Sequence, residues 1–98
     1  MERYNSRTID ENGRLVLHRE IRKELGIEAG DKISLMLIDT IVILRRVESD
    51  AEEDCIVCQV NDLGMISLPA EVRESLGWKE RDKVAVYHTD NIVILKSE

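Results

Sequence analysis

The sequence predicts a mainly β fold made of two β-β-α-β-β repeats that share one core. Residues 7–46 align with residues 58–97 without a gap, at an offset of 51 positions, so one unit of about forty residues occurs twice. Glycines, charged positions and aliphatic runs recur at this offset, as in Gly13 and Gly64. A unit of this size buries too little apolar surface to be stable alone without disulfides or metal. We therefore expect the two repeats to cover each other's apolar faces.

The first repeat is expected to open with a strand-turn-strand hairpin. Residues 1–6 form a polar lead-in, and a strand then runs through Ile9. The dipeptide Asn12-Gly13 signals a tight turn, because both residue types tolerate positive φ. In the strand that follows, Leu15 and Leu17 share one face.

A helix of about two turns comes next. Ile21 and Leu25 lie four apart and predict one apolar face. In the second repeat, Pro69 suits the first helical turn, where no amide donor is required. Gly26 and Gly77 stand where a helix C-cap needs a left-handed residue.

Each repeat is expected to end with two further strands. In the first repeat these are Lys32–Leu37 and Ile41–Arg45, on either side of a turn, and the second repeat has the equivalents. Four consecutive aliphatic residues at 41–44 favour a strand that is buried on both faces. Arg81 occupies the position of Gly30, which predicts a different backbone in the second copy of the preceding turn.

Composition narrows the function classes. The net charge of −6 divides into +1 for residues 1–47 and −7 for residues 48–98, so the first repeat is the better candidate for binding a polyanion. The acidic run 48–54 is most simply a solvated linker between repeats 1–47 and 55–98. The start of the chain does not resemble a signal peptide, and no apolar run approaches the length of a membrane span. These features, with two cysteines, favour a reducing cytoplasm. Three aromatic residues are few for stacking on single-stranded nucleic acid.

The chain offers no convincing catalytic, cofactor or metal site. A Gly-rich phosphate loop and a nucleophile with a nearby histidine base are both missing from the sequence. Cys55 and Cys58 have metal-type spacing, but a tetrahedral site needs two more ligands, so buried strand cysteines are the simpler interpretation. Trp78 replaces Ile27 of the first repeat and is interpreted as packing in the core or at its rim, with a partner contact as the alternative.

The segment GRLVLHREIRKELGIEAGDKISL, residues 13–35, resembles the swapped-hairpin domain of the AbrB, SpoVT and MazE families. The resemblance covers the first repeat and, less closely, the second. It implies that two units interleave their hairpins into one small barrel, here as a pseudo-dimer within one chain, and that the pair binds duplex DNA.

The resemblance also implies DNA contacts for four basic residues of the first repeat: Arg7, Arg14, Arg22 and Lys23. Arg19 shares the exposed helix face, and Arg73 is the equivalent of Arg22 in the second repeat. Guanidinium groups suit this role because they can clamp phosphates or guanine edges through two hydrogen bonds. The residues alone fit a solvated helix face equally well, with glutamates pairing locally.

The second repeat departs from this basic set. Cys58, Met65 and Glu74 stand at the positions of Arg7, Arg14 and Lys23. One basic and one neutral or acidic half are therefore expected, with the second repeat completing the barrel. On this hypothesis Arg14→Ala abolishes duplex binding and Arg73→Ala has little effect.

The function that we expect is a DNA-binding transcriptional regulator of AbrB type. A homodimer or higher assembly is compatible with the sequence. The same resemblance permits an antitoxin of a toxin–antitoxin pair, although the chain stops at Glu98, directly after its last expected strand. A protein-assembly module without DNA affinity is the third alternative, favoured by the acidic second half.

Overall fold

The computed structural model describes residues 2–47, 56–89 and 91–98, and the side chains from residue 6 onward. The acidic run 48–54, Cys55 and Asp90 lie outside the described residues. Within the described part, each repeat has the order β-β-α-β-β. The elements are β1 (Glu2–Thr8), β2 (Arg14–Val16), α1 (Arg19–Leu25), β3 (Lys32–Ile38), β4 (Ile41–Arg46), β5 (Ile56–Gln59), β6 (Met65–Ser67), α2 (Ala70–Leu76), β7 (Lys83–His88) and β8 (Val93–Ser97).

The first two strands of each repeat pair with the other repeat. A six-stranded antiparallel sheet has the order β1-β7-β8-β4-β3-β5, and a two-stranded sheet joins β2 to β6. The prediction that β1 and β2 pair as a hairpin is therefore wrong. The prediction of a polar lead-in before the first strand is also wrong, because β1 already begins at Glu2. The turn itself forms, but its two arms diverge to pair with β7 and β6. This exchange gives the interleaved, mainly β swapped-hairpin fold.

Both helices have the expected left-handed C-caps. The C-cap residues Gly26 and Gly77 are left-handed, with φ of 68° and 69°. At the N-cap of α1, Nδ1 of His18 accepts a hydrogen bond from the backbone N–H of Glu20. Pro69 is the N-cap of α2, one residue earlier than expected, so the missing N–H costs the helix nothing.

The core lies between the six-stranded sheet and the layer formed by the helices and the β2–β6 ribbon. Leu15 and Ile66 face each other at the centre of this ribbon, and neither is exposed to solvent. In β4, Val42 and Leu44 are buried, whereas Ile41 and Ile43 are half-buried. The expectation that this strand is buried on both faces is therefore wrong: one face of the sheet is open to solvent.

The turns that precede β3 and β7 have the same backbone, contrary to expectation. Gly30 has a φ of 89° and Arg81 a φ of 75°. The carboxylate of Asp31 in the first turn, like that of Asp82 in the second, accepts a hydrogen bond of 2.8 Å. The donor in each case is the backbone N–H of the residue three positions earlier. Arg81 is held in the left-handed region because its N–H donates to the carbonyl of Ile9 across the repeat boundary.

Candidate nucleic-acid interface

The turn between β1 and β2 fixes the position of Arg14. The Oδ1 atom of Asp10 accepts hydrogen bonds from the backbone N–H groups of Asn12 and Arg14 at 2.8 and 2.9 Å. Its Oδ2 accepts from the Arg14 Nε at 3.1 Å. These contacts, above all the backbone N–H of Arg14, hold the pKa of the Asp10 carboxyl below its ordinary value. The guanidinium is thereby held against the turn, while the Arg14 side chain remains 34% exposed.

The equivalent turn of the second repeat keeps the cap and loses the charge. Oδ1 of Asn61 accepts from the backbone N–H groups of Leu63 and Met65 at 2.9 and 3.0 Å. Asn61 replaces the carboxylate with an uncharged amide, and Met65 replaces the arginine with an uncharged side chain. Both charges of the first turn are therefore absent from the second. The aspartate–arginine pair of the first turn thus has an uncharged counterpart, and Leu63, with 73% exposure, stands at its tip.

The two helix arginines are structural as well as cationic. The Nε of Arg22 donates to the carbonyl of Leu17 at 3.0 Å, and the Nε of Arg73 donates to the carbonyl of Leu68 at the same distance. Both side chains are half-buried, so the expectation that Arg22 lies on an exposed face is only partly met.

Each of these guanidinium groups lies against the glycine of the other repeat's turn. A Cβ built on Gly13 would be 2.5 Å from Cζ of Arg73, and one on Gly64 would be 2.5 Å from Cζ of Arg22. Both glycines have positive φ, so two independent constraints require glycine there.

Interleaving therefore redistributes the basic residues. The turn that carries Gly13 and Arg14 packs against Arg73 of the second repeat, whereas the turn that carries Gly64 and Met65 packs against Arg22. A cleft of about 470 Å³ between the first turn and α2 is lined by residues of both repeats, including Asp10, Arg73 and Trp78. The expected separation into one basic and one acidic half does not occur at these turns, because each hairpin turn packs against the opposite helix.

The remaining basic candidates differ in accessibility. Arg19 and Lys23 are exposed on α1, and their equivalents on α2 are Ala70 and Glu74. Arg7 pairs with Val84 in the β1–β7 ladder and so points toward the core side of the sheet. Its Nε is buried without a hydrogen-bond partner among the described residues.

The other singled-out side chains are core residues. Cys58 is buried at the position equivalent to Arg7, and burial raises the pKa of its thiol. Trp78 is 5% exposed, and its Nε1 donates to Oγ of Ser97 at 2.8 Å. Among the described residues, no three His, Cys, Asp or Glu side chains are placed to hold a metal ion together.

With this geometry, the chain can be compared with known proteins. Residues 59–98 match a family model described as antidote-toxin recognition MazE, bacterial antitoxin. The match covers the second repeat, although the resemblance of the sequence is closer in the first. The fold is thus of the AbrB/MazE-like β type.

A solved structure supports the fold over nearly the whole chain. The solution structure of PHS018 from Pyrococcus horikoshii superposes with a TM-score of 0.57 at 23% identity, covering 98% of this chain and 91% of that one. At this identity the likeness concerns the fold alone. No match was found among curated proteins. In the part of the chain that the structure describes, neither helix is long and apolar enough to cross a membrane.

Proposed function

We propose that this protein binds double-stranded DNA as a transcriptional regulator, through the face formed by its two hairpin turns and two short helices. The observation that carries the proposal is the packing of Arg73 against Gly13, in the turn that carries Arg14 and is held by hydrogen bonds to Asp10. The match of the second repeat to the MazE family supports it. Arg19 and Lys23, exposed on α1, extend the same set of cations.

The arrangement suits phosphate and groove contacts. A guanidinium has five N–H donors, and the contact with Asp10 uses the Nε donor of Arg14. The remaining donors can clamp a phosphate or a guanine edge through two hydrogen bonds. Because the turn is already ordered, little conformational entropy is lost when that contact forms. Arg22 and Arg73 hold the turns in place and add positive charge next to them.

The two repeats are expected to contribute unequally. Met65, Ala70 and Glu74 replace three cations of the first repeat, and each cation that contacts phosphate adds to the release of counterions. The net charge of −6 also opposes the approach of a polyanion. We therefore expect weak binding at physiological salt unless two chains act together, and selectivity that depends on the deformability of the duplex.

The antitoxin alternative has one observation in its favour, which is the description of the matching family as a bacterial antitoxin. In that role a partner protein, rather than DNA, would be the principal ligand. A protein-assembly module without DNA affinity would likewise leave the cations of the turns and helices unused by a duplex.

Fluorescence anisotropy of a labelled mixed-sequence duplex separates these functions. A duplex about 30 base pairs long offers roughly three helical turns, enough for both halves of the face. DNA binding predicts saturable binding at low salt, with log K falling linearly as log salt rises, by about 0.9 for each phosphate contact. No binding at low salt would reject the proposal and leave the protein-binding alternatives. The single strand of the same sequence is the control and is expected to bind more weakly.

A further inference from the structure

The outer face of the six-stranded sheet carries an apolar row that crosses four strands. Met36 pairs with Ile43, Ile43 with Ile94, and Ile94 with Tyr87, so the row runs from β3 through β4 and β8 to β7. Met36 is 48% exposed, and the other three side chains are half-buried. Ile38 and Val57, with 43% and 46% exposure, enlarge the apolar area at one end of the sheet. Four neighbouring strands give the row a length of roughly 15 Å.

One cation stands on each side of this row. Arg45 is two residues along β4 from Ile43, and Lys96 is two residues along β8 from Ile94, and both are exposed. A spacing of two residues along a strand is about 7 Å. The Nζ of Lys96 lies 6.0 Å from the ring centroid of Tyr87, which keeps this charge near the apolar row.

These cations persist in both repeats, unlike most of the turn and helix cations. Arg45 is equivalent to Lys96, and Lys32 to Lys83, at the offset of 51 positions. All four are exposed, and alternation along the strands places them on the outer face. The apolar row is repeated in the same way, Ile43 being equivalent to Ile94 and Met36 to Tyr87. The two repeats therefore contribute equivalent residues to the outer face, whereas they contribute different residues at several positions of the turn-and-helix face.

Among the described residues, the outer face carries few acidic side chains, although the chain as a whole is acidic. The five strands β3, β4, β5, β7 and β8 contain no Asp or Glu. Among the described residues, a carboxylate reaches the margin of this face at Glu98, which follows β8 and accepts a hydrogen bond from Ser6. Asp39 lies in the turn between β3 and β4.

We propose that this outer face binds an acidic amphipathic segment of a partner protein, with its apolar stripe along Met36–Ile43–Ile94–Tyr87 and its carboxylates directed at Arg45 and Lys96. An apolar stripe on the partner segment that has carboxylates on both sides would match the apolar row of the sheet, which is one residue wide and has one cation on each side. Self-association through this face would bring cations of the two copies together, because Arg45 and Lys96 have the same sign in either orientation. A duplex would leave the apolar row in contact with phosphates and water, which makes DNA the poorer occupant.

The test uses the full chain and a designed peptide. The probe is a labelled helix-forming peptide of about 18 residues, with leucines at helical spacing and glutamates on both flanks of the apolar stripe. One control peptide has lysine for glutamate, and another has serine for leucine. We expect saturable binding of the first peptide, little binding of the controls, and amide chemical-shift changes in β3, β4, β7 and β8 rather than in α1.

Variants then assign the site. Arg45→Glu with Lys96→Glu is expected to weaken peptide binding at least about tenfold, since two favourable charge pairs become repulsive. Arg19→Glu with Lys23→Glu, on α1, should leave peptide binding unchanged, which separates this face from the DNA proposal. Circular dichroism checks that each variant is folded, as expected for exposed positions.

Several results would overturn the proposal. They are the absence of peptide binding, equal binding of all three peptides, and equal loss in both pairs of variants. Concentration-dependent dimerisation that Ile43→Lys abolishes would assign the face to a second copy instead. Binding of anionic vesicles, but not of the peptide, through Arg45 and Lys96 would assign it to lipid.

Discussion

The guanidinium of Arg73 lies over Gly13 of the other repeat, so close that a Cβ on residue 13 would be 2.5 Å from its Cζ and Nε atoms. Arg22 and Gly64 repeat this relationship. The same arginines donate to Leu68 and Leu17, directly before the helices. Each helix is thereby tied to the turn of the opposite repeat.

This relationship predicts that Gly13→Ala is more destabilising than Gly30→Ala. Both positions have positive φ, which costs an alanine about 1 kcal/mol, but no atom of the described residues lies within 4 Å of a Cβ at Gly30. At Gly13 the added methyl must displace the guanidinium of Arg73 and its hydrogen bond, for about 1 kcal/mol more. Urea unfolding followed by the fluorescence of Trp78 measures both variants.

The Arg73→Ala background provides the control. There the excess cost of Gly13→Ala over Gly30→Ala should disappear, since no guanidinium remains to be displaced. If the excess cost of Gly13→Ala persisted in this background, it would arise from the turn itself and not from the contact with Arg73. The contact also changes the expectation for DNA: removing Arg73 should disturb the turn that carries Arg14, so Arg73→Ala is no longer expected to be silent.

Arg81→Gly is predicted to stabilise the protein by about 0.5 kcal/mol. The left-handed conformation at φ 75° strains an arginine by somewhat more than the entropy that glycine loses on folding. Gly30→Arg, at the equivalent turn, is the matched opposite and should destabilise by a similar amount. Thermal unfolding of both variants tests this, and a lower midpoint for Arg81→Gly would mean that the arginine side chain contributes contacts that outweigh the strain.

Asp10→Asn is predicted to make stability less dependent on pH. The folded-state pKa of Asp10 is depressed below 3.8, chiefly by the backbone N–H of Arg14. Its contribution is therefore fully present above the unfolded pKa and is lost as pH falls through the folded pKa. The wild type should be more stable than the variant near pH 7, and the difference should shrink as pH is lowered through the depressed pKa of Asp10.

Asn61→Asp is the companion experiment, because it places a carboxylate in the same cap without an arginine beside it. It should add pH dependence of the same sign but smaller extent. Equal pH dependence of wild type and Asp10→Asn in urea unfolding would contradict the role assigned to this carboxylate.

Local features were largely predictable from the sequence, because short-range signals determine them. The left-handed caps Gly26 and Gly77 and the turn at Gly13 follow from the conformations that glycine tolerates. The repeat at 51 positions predicts that the two copies share one core, and strands of both copies occur in the same six-stranded sheet.

Pairing partners and strain were not predictable in the same way. Nothing local in β1 indicates that it pairs with β7 rather than β2, since its residues are almost all polar and show no apolar alternation. Arg81 takes the conformation of Gly30 because contacts from the other repeat impose it. The Asp10–Arg14 pair was missed, although the offset alignment shows Asp10 and Arg14 replaced together by Asn61 and Met65.

Duplex binding by helix charge variants tests the central claim most directly. Lys23 on α1 and Glu74 on α2 are equivalent positions, and both are exposed. Anisotropy titrations over a range of salt are expected to show that Lys23→Glu weakens binding about tenfold and that Glu74→Lys strengthens it, with the salt slope changing by about 0.9 per contact. Lys32→Glu, on the outer sheet face, controls for net charge and should have little effect. If both helix variants keep the affinity and slope of the wild type, or if Lys32→Glu matches Lys23→Glu, the turn-and-helix face does not bind DNA.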